Sequence, residues 1–152
     1  MIATGTAVPF DVATVGDAMS HGVISCPVET PLRVVARMMA TYGVHAIFVF
    51  ERLDEDDEAR RLWAVVSDLD LVAATQLDLD TLTAGETAVT PLVSVAADSS
   101  IAEAGSLMAQ YGIAHLAVTE AGSCRPIGVI STLDIARAVA AGHGPREVFA
   151  SA

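Results

Sequence analysis

Two four-residue stretches, Ser67-Asp68-Leu69-Asp70 and Ser131-Thr132-Leu133-Asp134, each place a hydroxyl and a carboxylate three residues apart. Each follows a short apolar run, residues 63–66 and 127–130, of the kind that forms a buried strand. A strand that turns directly into a helix at the serine leaves the aspartate on the first helical turn. There the pair can cap the helix, the serine accepting from the third helical N–H while the aspartate reaches back to the serine backbone. The same groups can also face a ligand. A carboxylate accepts hydrogen bonds from hydroxyls, and a helix N-terminus presents free N–H groups and partial positive charge to an anion. The chain has no nucleophile–base pair, zinc-ligand spacing, phosphate-binding glycine loop or dinucleotide fingerprint, so an enzyme is not expected.

The elements that position these stretches occur twice. Residues 15–20 read as a helical turn leading to a short strand at 23–25. Thr30 reads as an N-cap with Pro31 at the first helical position. Leu32, Val35, Met38, Met39 and Tyr42 follow at helical spacing, and Gly43 stops the helix. Residues 44–50 read as a buried strand, 51–61 as a charged loop, 62–66 as the return strand, and 67–74 as a helix. The second pass has a strand at 92–95, Ser99 as cap, and Ile101, Ala104, Leu107, Met108 and Tyr111 on a helix ended by Gly112. A strand at 113–119, a hairpin loop at 120–125, a strand at 126–130 and a helix from 131 to about 140 complete it. Ser25, Met39, Tyr42-Gly43 and Val49 recur 69 positions later. Val65, Ser67, Leu69 and Asp70 recur 64 positions later. The difference falls in the acidic loop around residues 54–58, where extra length disturbs least. The spans are therefore 15–75 and 86–141 for the repeats, 76–85 for a linker, and 1–14 and 142–152 for terminal arms, the last from Gly142 frayed.

Composition narrows the classes. The 152 residues are 53% hydrophobic and 18% charged, which implies a large core and some apolar surface for a homodimer contact. The formal net charge is −11 and every basic residue is arginine, so a nucleic-acid backbone would be repelled. Cys26 and Cys124 lack a CxxC spacing and read as free thiols. No apolar run reaches the ~20 residues needed to span a bilayer, and the first 17 residues do not form a signal peptide. The expectation is a cytoplasmic protein without nucleic-acid or membrane partners.

The order strand–helix–strand–strand–helix, twice, each ending in apolar-Ser-x-x-Asp with Tyr-Gly-(Val/Ile) before the second strand, resembles the CBS domain pair, or Bateman module. The resemblance covers residues 15–140. It implies an α/β (α+β) fold of tandem β-α-β-β-α repeats with pseudo-twofold symmetry, packed through their sheets. It implies a stand-alone regulatory module that binds an adenosyl small molecule in the cleft between the repeats and signals to an unknown protein partner. The ligand class is an adenine nucleotide (AMP, ADP or ATP) or S-adenosylmethionine, with no obligatory cofactor and no metal.

The residues suit those roles. Asp70 and Asp134 can accept hydrogen bonds from a ribose diol. Ser67, Ser131 and Thr132 stand where a helix N-terminus meets a phosphate. The strands around Ile24-Ser25 and Val93-Ser94 can line an adenine slot. Family members often carry a basic residue at the start of the second strand. The matching pairs here are His45-Ala46 and Ala114-His115, histidines at different positions. Two departures stand out: Ala64 replaces the glycine kept as Gly128, and Asp68 replaces Thr132. The second site therefore looks better suited to a phosphorylated ligand. A ligand-free dimeric scaffold with degenerate nucleotide sites is the alternative.

Overall fold

The computed structural model describes residues 13–53, 60–88 and 90–142. The acidic loop at 54–58, most of the N-terminal arm and the tail after 142 lie outside the described residues. In chain order the elements are α1 (Val15–Ala18), β1 (Ser20–His21), β2 (Ser25–Pro27), α2 (Leu32–Tyr42), β3 (Ala46–Arg52) and β4 (Arg60–Ser67). They continue as α3 (Asp68–Ala73), α4 (Ala84–Thr87), β5 (Thr90–Pro91), β6 (Ser94–Ala96), α5 (Ile101–Tyr111), β7 (His115–Thr119), β8 (Pro126–Ser131) and α6 (Thr132–Ala141). The fold is mixed α and β, with two tandem repeats and two four-stranded sheets.

The chain divides into two compact units that interleave along the sequence. One holds residues 24–92 and the other holds residues 1–23 with 93–152. In the first unit the sheet order is β2-β3-β4-β5, and in the second it is β1-β8-β7-β6. The opening turn and strand of the first repeat, α1 and β1, thus belong to the unit built on β6, β7 and β8. β1 pairs antiparallel with β8, Ser20 opposite Val129 and His21 opposite Gly128.

Each unit buries its own core. In the first, Leu32, Val35 and Met39 of α2 pack with Ile47, Val49 and Val66. In the second, Val15, Val95, Ala104, Met108, Leu116, Val118 and Ile130 do so. The helical spacing of the buried positions explains why α2 and α5 form. Both helices stop at a left-handed glycine, Gly43 with φ 64° and Gly112 with φ 63°. A side chain is strained there and glycine is not.

Several element boundaries differ from the expectations. Pro31, not Thr30, is the N-cap of α2, and it provides no side-chain cap. The connector supplies the acceptors instead: Leu32 N–H donates to the Leu82 carbonyl at 2.9 Å and Arg33 N–H to that of Leu79 at 3.0 Å. Ser100, not Ser99, caps α5, because the Glu103 N–H donates to Ser100 Oγ at 3.0 Å, while the Ser99 carbonyl accepts from Val15 N–H at 2.8 Å. The strands expected at 23–25 and 92–95 lie later, as β2 and β6, where pairing with β3 and β7 sets their register. The two-residue strands β1 and β5 were not expected, being too short to show a period. Among the described residues, no helix is long and apolar enough to cross a membrane.

Candidate functional site

Both Ser-x-x-Asp stretches close helix ends. Ser67 N–H donates to Asp70 Oδ2 at 2.9 Å and Asp70 N–H donates to Ser67 Oγ at 3.2 Å. Ser131 N–H donates to Asp134 Oδ2 at 2.8 Å and Asp134 N–H to Ser131 Oγ at 3.2 Å. The Ser131 hydroxyl also donates to Asp134 Oδ2 at 3.0 Å. Each is a capping box, and each draws on one carboxylate oxygen. The two copies differ in surroundings. Asp134 is 9% exposed, the one buried charged residue among those described, whereas Asp70 is half-buried on a shorter helix.

Asp134 lines an open cavity of about 490 Å³ in its unit, a size suited to a small molecule. α1 forms one wall with Asp17 and Ala18, followed by Met19 and Ser20. α6 forms the other with Asp134, Arg137, Ala138 and Ala141, all on one helical face. Asp134 Oδ1 stands 3.9 Å from Arg137 Nη1, too far for a hydrogen bond. Among the described residues that oxygen accepts no hydrogen bond.

Asp17 and Arg137 were not singled out from sequence, yet Asp17 carried a signal. Thr14-x-x-Asp17 has the same spacing as the two serine motifs and forms a third capping box. Thr14 N–H donates to Asp17 Oδ2 at 2.8 Å, and Asp17 N–H to Thr14 Oγ1 at 3.3 Å. Arg137 follows Asp134 by three residues and so shares its face.

The remaining expected residues gather at one end of each sheet without lining this cavity. His115 lies opposite Ser131 in the β7–β8 ladder, and Thr132 N–H donates to the Ala114 carbonyl at 3.0 Å. Ser94 pairs with Ala117, and the Val93 carbonyl accepts from Ala117 N–H at 3.1 Å. In the other unit Ser25 pairs with Phe48, the Ile24 carbonyl accepts from Phe48 N–H at 3.0 Å, and Ala46 lies opposite Ser67. The equivalent of the Thr132–Ala114 link is Asp68 N–H to the His45 carbonyl at 2.8 Å. Here a side-chain link is added: His45 Nδ1 lies 2.9 Å from Asp68 Oδ2. The first histidine thus has a carboxylate partner within its own unit.

Neither cysteine joins these groups. Cys26 is buried in the first unit's core, and burial pushes its thiol above the ordinary range; Cys124 is exposed in the β7–β8 hairpin. No group of three or more His, Cys, Asp or Glu side chains among the described residues is arranged to hold a metal ion.

The comparisons bear on the fold and the family. The CBS domain family model matches residues 15–76 and 84–141. Among solved structures, Hypoxic Response Protein I with two coordinated zinc ions is 29% identical; the match covers 82% of this chain and 98% of that one, with TM-score 0.64. The CBS domain protein from Pyrobaculum aerophilum complexed with AMP is 25% identical over 80% of this chain and 88% of that one, TM-score 0.68. The CBS domain pair of protein MJ0100, in complex with 5′-methylthioadenosine and S-adenosylmethionine, is 17% identical and shares the fold, with 85% and 97% covered and TM-score 0.70. A comparison with curated proteins finds no match. With both repeats matched by the family model and the pair architecture shared with these structures, the chain belongs to the CBS domain family.

Proposed function

We propose that this chain is a non-enzymatic regulatory module that binds an adenosyl small molecule at Asp134 and passes the bound state to a protein partner. One observation carries the reading: a buried carboxylate that lines a cavity of ligand size spends one oxygen on a helix cap, and its other oxygen accepts no hydrogen bond among the described residues. A ribose diol would satisfy that oxygen, and apolar neighbours such as Met19 and Ile101 offer contact to a ring. The AMP complex of the Pyrobaculum aerophilum relative supports the ligand class.

The scaffold reading applies to the first unit. There the His45–Asp68 contact occupies the polar groups beside Ser67 and adds a negative charge. We therefore assign ligand binding to the second Ser-x-x-Asp copy and a structural role to the first.

Thermal-shift titration with adenosine, AMP, ADP, ATP, 5′-methylthioadenosine and S-adenosylmethionine tests this. A ligand at 100 times its Kd stabilises the fold by about 2.7 kcal/mol, a rise of roughly 5–11 °C for a chain this size. Asp134→Asn keeps an oxygen for the cap and should abolish the shift, while Asp70→Asn should preserve it. No shift with any compound at millimolar concentration, or a shift abolished by Asp70→Asn alone, would overturn the assignment.

A further inference from the structure

We infer that the ligand of the Asp134 cavity is zwitterionic beside its ribose, an adenosyl amino acid of the S-adenosylmethionine type rather than a nucleotide; this rests on the reading of Asp134 as the ribose acceptor. Among the described residues, three charged side chains line the cavity. Asp17 stands on the α1 wall, and Asp134 and Arg137 stand on the α6 wall. Asp17 takes the Thr14 N–H with Oδ2, and its other oxygen has no hydrogen bond among the described residues. Arg137 is 71% exposed at its side chain, and among the described residues its one ionic neighbour is Asp134 at 3.9 Å. A guanidinium with no hydrogen bond to another described residue matches a carboxylate in a two-point geometry. A carboxylate on the facing wall matches an ammonium or sulfonium.

Charge decides between ligand classes. Among the described residues, two carboxylates and one guanidinium leave the cavity lining net negative, in a chain of net charge −11. A phosphate dianion placed there meets one cation and two like charges. A group bearing one negative and one or two positive charges finds an opposite charge on each wall. The sequence-based preference for a phosphorylated ligand changes because Asp17 comes from the first repeat and enters the second repeat's unit. The pseudo-equivalent positions support a dedicated arrangement. Arg137 corresponds to Ala73, 64 positions earlier, so the first unit lacks the guanidinium.

The test is calorimetric titration of the full chain with S-adenosylmethionine, 5′-methylthioadenosine, adenosine and AMP. 5′-Methylthioadenosine lacks the amino-acid portion, so the affinity ratio of the first two reads that portion alone. The wild-type protein should bind S-adenosylmethionine at least about ten-fold tighter than 5′-methylthioadenosine and tighter than AMP, and ten-fold is one charge contact of modest strength. Arg137→Gln and Asp17→Asn, which keeps the cap oxygen, should each bring the ratio toward one. Equal affinities in the wild type, AMP as the tightest ligand, or a ratio unchanged in both variants would overturn the inference while leaving adenosyl binding at Asp134 standing. Absence of binding by every compound, or binding unaffected by Asp134→Asn, would remove the underlying reading and the inference with it.

Discussion

Gly128 is where the fold and the cavity depend on the same backbone contact. It lies on β8 opposite His21, and a Cβ built there would meet the Ser20 carbonyl oxygen at 2.5 Å and Met19 Sδ at 2.9 Å. The sulfur sits on a flexible chain and can swing away. The carbonyl belongs to β1 and cannot move unless the strand moves. Gly128→Ala should therefore displace β1 and strain its pairing with Val129 and Gly128, together with the Gly22 N–H to Ile127 carbonyl bond of 2.9 Å. Overpacking of this kind costs about 1–3 kcal/mol. The smaller unfolded-state entropy of alanine offsets about 0.4–1 kcal/mol of that. The midpoints leave a net loss of about 1.3 kcal/mol, which lowers Tm by roughly 3–5 °C for a chain this long. Because Met19 and Ser20 line the cavity, the ligand-induced Tm rise should shrink in the same variant. The first repeat provides the control. Ala64 is tolerated opposite Pro91, and the interval from α4 to β5 is one residue longer than that from α1 to β1. Ala64→Gly gains no close contact and should destabilise modestly through chain entropy. Differential scanning calorimetry with and without ligand reads both variants. A Gly128→Ala protein that melts at or above the wild type with an intact ligand response would refute the close-approach argument.

Two further outcomes follow from individual contacts. Arg33 makes a two-point ion pair with Asp80, 2.5 Å and 3.2 Å, and holds the Asp80 carboxyl below the usual range, so the pair stabilises above the unfolded carboxyl value and the stabilisation is lost as pH falls through the lower folded value. The Tm deficit of Asp80→Asn should be present at neutral pH and shrink below about pH 4, and a deficit independent of pH would count against it. The Thr87 hydroxyl is buried without a hydrogen-bond partner among the described residues, so Thr87→Val should be neutral or stabilising by up to about 1 kcal/mol in denaturant unfolding, whereas a loss above about 1 kcal/mol would show that the hydroxyl is satisfied in solution.

What was legible in the sequence was local. The duplication, the element order and the two glycine stops could be read because each rests on a pattern of a few residues: an apolar period, a Tyr-Gly end, a Ser-x-x-Asp turn. Helix starts shifted by one residue where the acceptor came from elsewhere in the chain, as when Leu79 and Leu82 took the first N–H groups of α2. The interleaving was not legible. No periodicity tells α1 and β1 to join β8 in preference to the sheet that follows them, since that choice is made by non-local packing of Val15 and by the space above Gly128. The cavity inherits this limit. Asp134 was legible as a candidate because its motif is local. Asp17 was not legible as its neighbour, since more than a hundred residues of chain separate them.

The capping box and the proposed ligand role are compatible at Asp134. A carboxylate removed from water is disfavoured unless its oxygens find donors. At Asp134 the serine backbone and hydroxyl satisfy Oδ2, which makes burial tolerable and fixes the rotamer. Oδ1, by contrast, has a guanidinium at 3.9 Å and no hydrogen bond from it. A ligand hydroxyl donated to Oδ1 would therefore add a charge-assisted bond to an acceptor that is already positioned, with little rotamer entropy left to lose. Asp70 makes the same cap without comparable burial, on a helix of six residues beside the Asp68–His45 contact. Two copies of one local motif thus differ in the environment supplied by the rest of the chain. That environment separates a helix cap from a candidate binding site: Asp134 has burial, a cavity and a neighbouring guanidinium, while Asp70 has a second carboxylate already paired with the nearest histidine.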